Sequence, residues 1–288
     1  MVSLQGAAPR AALRAVAETL RQAGCPDADY DAGVLYTLAV GRDPRLDTDP
    51  LAAAPAARLA ELTRRRAGRE PLQYIAGQWD FLDFTLKVGP GVLCPRPDTE
   101  VVCETAVELL RGMQLPAPRV LDLCAGTGCL GLGVKRFMPG ARVTCVEKSP
   151  EAFAYLKENA AAALADRRLT VEAVLADAMA YAAALPADSV DLVVSNPPYL
   201  TAAEMGALQP ETAREPAMAL DGGSDGLDFY RALADCCRHC VRPGGWLVFE
   251  IGWQQQQAVE AIGAAAGWRN LAARRDYGGN PRAVWMQR

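Results

Sequence analysis

A chain of 288 residues, 51% of them apolar, is long for one domain and rich enough for a sizeable buried core. Its 30 Lys and Arg against 34 Asp and Glu give a net charge of −4, which lacks the electrostatic footprint of a general nucleic-acid binder. No uncharged apolar run approaches the ~20 residues of a bilayer crossing, the N-terminus lacks a signal-peptide core, and nine irregularly spaced cysteines read as reduced thiols, so a soluble cytoplasmic protein without membrane attachment is expected.

Residues 1–70 read as a small helical domain. Leu13, Val16, Ala17 and Leu20 fall on one helix face, Val34, Leu35 and Leu38 suggest a second helix, and Leu59 with Leu62 a third. Pro26, Pro44, Pro50 and Pro55 break the pattern between them. Ten Arg and nine acidic residues leave the region near neutral; its one basic run, Arg64, Arg65, Arg66 and Arg69, reads as a solvated helix end or as a contact to RNA or an acidic protein. Residues 71–98 change character. Phe81, Phe84, Leu86 and Val88 suggest short strands, Gly89-Pro90-Gly91 is a turn, and the stretch reads as a β-hairpin linker.

From 99 to 288 strand and helix alternate. Strands are expected at 119–123, 142–147, 170–175, 190–195, 245–251, 269–275 and 283–287, with helices at 99–112, 129–138, 150–164, 227–240 and 254–266. Such alternation implies an α/β fold with a mostly parallel sheet covered on both faces, and ligands of these sheets sit at the carboxyl ends of the strands. Gln254 to Gln257 fit a solvated helix start. Cys236, Cys237, His239 and Cys240 invite a zinc reading, but no second ligand pair is present and they read as thiols on a helix face, so no metal is expected. His239 is the only histidine, which makes a histidine-based triad hard to build.

The strand at 119–123 runs into Cys124-Ala125-Gly126-Thr127-Gly128-Cys129-Leu130-Gly131. Glycines there permit a tight turn and close backbone approach to a ligand, and Glu147 closes the next strand about 20 positions on, where a ribose hydroxyl pair is bound in nucleotide sites. The loop therefore indicates an adenosyl cofactor without saying which. Asp122 suits a cationic ligand better than a diphosphate, or it shapes the loop; Asp177 either accepts from an adenine amino group or caps the helix starting at Ala178.

The most informative segment is Ser195-Asn196-Pro197-Pro198-Tyr199, directly after a parallel strand. Two prolines fix φ and remove two donors, so the loop displays carbonyls and the Asn196 side chain rigidly. A carboxamide or ring amino nitrogen is a poor nucleophile because its lone pair is delocalised. Acceptors at the Asn196 side chain and the Pro197 carbonyl can orient its two N–H bonds and favour the pyramidal transition state, while Tyr199 can stack on the planar group.

On these residues the chain resembles the class I methyltransferases with an Asn-Pro-Pro-Tyr motif, and more closely the peptide chain release factor glutamine methyltransferase family. The segments that carry the resemblance are Pro71 to Gly77, Pro95-Arg96-Pro97-Asp98-Thr99-Glu100, Asp122 to Gly128, Ser195 to Tyr199, Glu215-Pro216 with Ala219-Leu220, Pro243 to Gly245 and Arg274 to Asn280. The resemblance implies a seven-stranded Rossmann-like sheet, S-adenosylmethionine as cofactor, and the glutamine of a release factor's Gly-Gly-Gln as substrate. It implies that Cys124, Ala125, Gly126, Thr127, Gly128, Glu147, Asp177 and Ala178 meet the cofactor. Asn196 would bridge cofactor and glutamine, with Pro197, Pro198 and Tyr199 framing the glutamine. Arg96 to Glu100 would cover the cofactor, and the helical domain and hairpin would help hold the release factor. Cys124 and Ala125 stand where the family commonly has Gly and Thr, and Glu147 where Asp is frequent. The competing readings are a glutamine methyltransferase acting on a ribosomal protein, an amino-methyltransferase acting on nucleic acid, an NAD-dependent oxidoreductase suggested by the glycine pattern, and a non-catalytic binding protein.

Overall fold

The computed structural model describes residues 4–288. The chain divides into two compact units. One runs up to Gln78 and takes in Gln209–Arg214; the other holds Trp79–Leu208 and Glu215–Arg288.

The first unit is built on α1 (Pro9–Gln22), α2 (Ala28–Val40), α3 (Ala53–Ala67) and the short α4 (Leu72–Ala76). Pro9 opens α1, where its missing N–H leaves nothing unpaired, and Gly41 ends α2 in the left-handed region that only glycine enters freely. Ala12, Val16, Ala17 and Leu20 form the buried face of α1, so Ala12 takes the inward position expected of Leu13, which is half-buried. The arginine run departs further from a solvated helix end. Arg66 is buried, donating to Asp31 at 2.7 Å and to Glu211 at 2.6 Å; Arg69 grips Glu211 with two bonds of 2.6 Å, and Arg65 pairs with Glu70. Breaking such a buried network from one side would leave an uncompensated charge.

The second unit begins with the hairpin strands β1 (Gln78–Phe81) and β2 (Phe84–Lys87), the unit boundary falling between Gln78 and Trp79. Then follow α5 (Pro97–Gly112), β3 (Arg119–Leu123), α6 (Cys129–Phe137), β4 (Arg142–Glu147), α7 (Pro150–Arg167), β5 (Glu172–Leu175), α8 (Ala178–Ala184), β6 (Val190–Ser195) and α9 (Ala202–Met205). After two single-turn helices come α10 (Asp228–Cys240), β7 (Val241–Glu250), α11 (Gln256–Ala265), β8 (Arg269–Arg275) and β9 (Pro281–Gln287). The expected strands and helices are all present with ends shifted by a few residues. The short α8 starts at Ala178, where the Asp177 cap reading places a helix, and the winding stretch after β6 carries no apolar period long enough to foresee. On α10, Tyr230, Leu233, Ala234, Cys237 and Cys240 are buried at helical spacing, which makes two of the clustered thiols core residues. Among the described residues no group of three or more His, Cys, Asp or Glu is placed to hold a metal, and no helix is long and apolar enough to cross a membrane.

The seven-stranded sheet has the order β5-β4-β3-β6-β7-β9-β8. Strands β5 to β7 are parallel, and β9 runs antiparallel to both β7 and β8. All six residues of β6 are buried, as expected for a central strand covered on both faces. Chain order reverses between β3 and β6, so the crevice that binds ligands in open α/β sheets opens there. Leu123 is in register with Ser195, and the Ser195 hydroxyl donates to the Leu123 carbonyl at 2.6 Å. The sheet thus sets the glycine-rich loop and the Asn-Pro-Pro-Tyr turn side by side.

Candidate active site

The loop after β3 turns into α6 through three left-handed residues: Cys124 (φ 59°), Gly126 (φ 56°) and Gly128 (φ 83°). The cysteine bears a strain of about 1 kcal/mol that glycine would not. At Gly131 a Cβ would stand 3.0 Å from the Asp122 Oδ2 atom, so α6 sits close on the sheet because this position has no side chain.

Three acidic residues at this edge play different parts. Asp122 is fully buried beneath the loop, where its Oδ2 accepts the Gly131 N–H at 2.8 Å, and burial pushes its carboxyl up to about 7. It does not line the cavity, and its hydrogen bond to Gly131 shapes the loop from beneath. Glu147 holds the loop from outside. Its Oε2 accepts from Gly126 at 2.8 Å and its Oε1 from Ser149 at 2.7 Å, while the residue lines the cavity. Asp177 caps α8 by accepting from Ala180 at 3.1 Å, and the Ala180 N–H and the Lys148 ammonium at 3.1 Å keep it below the usual carboxylate range. Asp177 and Ala178 also line the cavity.

That cavity, about 350 Å³, is lined by Cys124–Thr127 of the loop, Glu147–Ser149 beyond β4, Asp177–Met179 beyond β5, and Asn196 and Pro198 beyond β6. Gly91–Pro95, Thr99 and residues of the 216–221 stretch close it. Its size falls within the usual range for a small-molecule site. Gly128 does not line it and serves as the residue before α6. Arg96 and Glu100, expected over the cofactor, turn elsewhere. Arg96 pairs with buried Glu215, whose other oxygen accepts the Cys94 N–H, and Glu100 accepts the Leu82 N–H at 2.7 Å. The Arg96–Glu215 pair holds the cover at Cys94 from outside the cavity, and Glu100 ties α5 to the hairpin at Leu82.

Asn196 is half-buried and faces the cavity; among the described residues none hydrogen-bonds its side chain. Pro197 and Pro198 are buried, and Tyr199 points into the protein, its hydroxyl donating to Glu250 Oε1 at 3.4 Å. Pro197 and Tyr199 do not line the cavity.

Residues far along the chain keep this turn rigid. Leu200 donates to the Leu220 carbonyl and Gly222 to the Leu200 carbonyl, both at 2.9 Å. A Cβ on Gly222 would lie 2.7 Å from Tyr199 Cα and 2.9 Å from the Pro198 carbonyl oxygen, so only glycine allows that approach. Gln255 donates to the carbonyls of Tyr199 (2.9 Å) and Gly226 (3.2 Å) and accepts from Gly252 (2.9 Å) and the Tyr230 hydroxyl (3.3 Å). Its amide is therefore a structural clamp, contrary to a solvated glutamine run. Sequence reasoning missed Gln255, Gly222 and Glu250; the only local signal was a glycine-rich stretch downstream of the motif.

A glycine loop and an Asn-Pro-Pro-Tyr turn flanking one crevice of a β5-β4-β3-β6-β7-β9-β8 sheet define a methyltransferase of the class I fold. The family described as "Methyltransferase small domain" matches residues 99–216, and the "PrmC N-terminal domain" matches residues 11–77. A methyltransferase structure from Pyrococcus furiosus shares the fold, with a TM-score of 0.51 over 70% of this chain and 87% of that one at 16% identity. The release factor glutamine methyltransferase of Cereibacter sphaeroides is 40% identical over 95% of this chain and 96% of its own length; that of Geobacter sulfurreducens is 39% identical over 86% and 82%. The chain belongs to the release factor glutamine methyltransferase family.

Proposed function

We infer that this chain transfers the methyl group of S-adenosylmethionine to the side-chain amide nitrogen of the glutamine in the Gly-Gly-Gln segment of a release factor, in the cytoplasm. The observation that carries the reading is Asn196, which lines the cavity with no side-chain hydrogen bond among the described residues, on a turn that its own prolines and remote hydrogen bonds hold rigid.

The cavity suits the cofactor on chemical grounds. Its lining contains Glu147 and Asp177 but only one cation, Lys148, which Asp177 already engages. A lining of this sign favours a sulfonium cation and disfavours a dinucleotide's diphosphate. Glu147 accepts one hydrogen bond per oxygen, from Gly126 of the loop and from Ser149 before α7, and a carboxylate then has lone pairs left for two ribose hydroxyls. When bound, S-adenosylmethionine supplies a methyl group activated by the adjoining sulfonium.

The residues of this chain do the rest. The Asn196 side-chain oxygen and the Pro197 carbonyl accept the two N–H bonds of the glutamine amide, point its nitrogen at the cavity and favour the pyramidal transition state. Holding two reacting atoms in line supplies on the order of 7–11 kcal/mol of a barrier when the geometry is well preorganised. No strong base is needed, because the nitrogen becomes acidic only as the methyl arrives. The cover of Gly91–Pro95, locked by Arg96 and Glu215, keeps water from the reacting centre. The helical unit and the hairpin serve to hold the release factor.

The test is transfer of labelled methyl to a release factor and to its Gln→Ala variant. Label on the natural protein alone supports the assignment; label on both defeats it.

A further inference from the structure

Glu250 is the last residue of β7, next to Phe249, which pairs with Ser195 at the start of the Asn-Pro-Pro-Tyr turn. It is 1% exposed. Its main chain is fixed, opposite Ala283 in the sheet and with its carbonyl accepting the Tyr230 hydroxyl at 3.0 Å. Its side chain is less well satisfied: among the described residues Oε1 accepts the Tyr199 hydroxyl at 3.4 Å, and Oε2 makes no hydrogen bond. The Thr99 hydroxyl, also buried and without a hydrogen bond among the described residues, faces this carboxyl group and belongs to a residue lining the same cavity as Asn196. The nearest cation, Arg282, spends its guanidinium on Asp276 (3.2 Å), Asp98 (3.2 Å) and the Ile251 carbonyl (3.1 Å). Among the described residues no ion pair reaches Glu250. Core packing alone would favour an apolar side chain here. A buried, half-satisfied carboxyl group beside a reactive turn is what a functional site retains.

We propose that Glu250 is a positioning residue for methyl transfer: its carboxylate holds the Tyr199 hydroxyl and so fixes the ring that ends the Asn-Pro-Pro-Tyr turn in the pose that receives the glutamine amide. The inference rests on the function proposed above. The groups facing Glu250 are Tyr199 from the turn, Asp98 and Thr99 from α5, Arg282 from β9, Tyr230 from α10 and Cys129 at the start of α6. Burial, with a smaller push from Asp98, outweighs Thr99, Arg282 and Tyr199 and lifts the carboxyl up to about 7. Only the ionised form gives Tyr199 a charge-assisted bond, roughly twice as strong as a neutral one. Turnover therefore gains as pH rises through about 7.

The experiment measures kcat and KM for methyl transfer to a release factor by the full chain from about pH 6 to about pH 9, the span in which such a group titrates. Wild type should show the rise. Glu250→Gln, which keeps shape but not charge, should lose about tenfold in kcat at the alkaline end, keep its KM, and show no rise, the loss expected when a charge-assisted bond becomes neutral. Tyr199→Phe should behave alike, and the double variant should be no slower than either single one, because both remove one interaction. Full kcat with an unchanged pH profile in Glu250→Gln overturns the inference, as does a double variant showing the product of both losses. Should Glu250→Gln fail to fold, Tyr199→Phe decides alone, and full kcat with the rise intact overturns the inference. A wild-type chain inert toward the release factor defeats the proposed function, and this inference with it.

Discussion

The two loops that face each other across the β3/β6 crevice are built on opposite principles. The glycine-rich loop is shaped by flexible residues and pinned by carboxylates close in the chain, Asp122 on Gly131 and Glu147 on Gly126. The Asn-Pro-Pro-Tyr turn is stiffened by its own prolines, packed by Gly222 and then clasped from afar by Gln255 and Glu250. A loop that must wrap a flexible cofactor can be locally determined. A turn that must aim two acceptors at a weak nucleophile needs a support whose position does not drift, and the sheet provides it through β7 and the start of α11.

Removing the acceptor gives the largest expected break in this contrast. Asn196→Ala should lower kcat by roughly 100-fold or more while thermal melting stays near wild type, since among the described residues the side chain has no hydrogen-bond partner to lose. Removing the support comes next. Gly222→Ala pushes a Cβ into the Tyr199 main chain, and a shift of about 1 Å in a reacting group costs on the order of 100-fold, so kcat should fall toward that extent. The same chain should still bind S-adenosylhomocysteine in a calorimetric titration, because the glycine-rich loop is untouched.

On the other loop the expected effects are on stability. Burial raises the Asp122 carboxyl in the folded chain from an ordinary 3.8 to about 7. The folded value lies above the unfolded one, so this group's contribution to stability is complete below about pH 4 and is lost as pH rises to about 7. Asp122→Asn keeps an acceptor for Gly131 and should flatten the fall of Tm across that window, gaining a few kcal/mol at its upper end. A Tm profile parallel to wild type would show that the carboxyl titrates normally. Cys124→Gly is the smallest effect. It removes a Cβ from a left-handed residue and should relieve strain, offset in part by the greater freedom of glycine in the unfolded chain. A gain of up to about 1 kcal/mol by denaturant titration is expected.

The same contrast explains what was legible in the sequence. Apolar periodicity marked β3, β4, β6 and α10 because a central strand or a core helix must bury the residues that give it its pattern. The cofactor loop was readable because its determinants lie between Asp122 and Glu147. Side-chain partners far off in the chain were not legible. Arg66 reads as solvated until Asp31 and Glu211 are brought to it, the pairing of Arg96 with Glu215 has no local signal, and Gln255 reads as part of a polar run. Glu250 carried no signal at all, since an acidic residue ending a strand is ordinary until burial on every side is known.

The most direct measurement is peptide mass mapping of a release factor after a single turnover with labelled S-adenosylmethionine, run in parallel with wild type and Asn196→Ala. The account predicts one added methyl group on the Gly-Gly-Gln glutamine with wild type and essentially none with the variant, although both bind the cofactor. A methyl group on another residue, or equal transfer by Asn196→Ala, would contradict it.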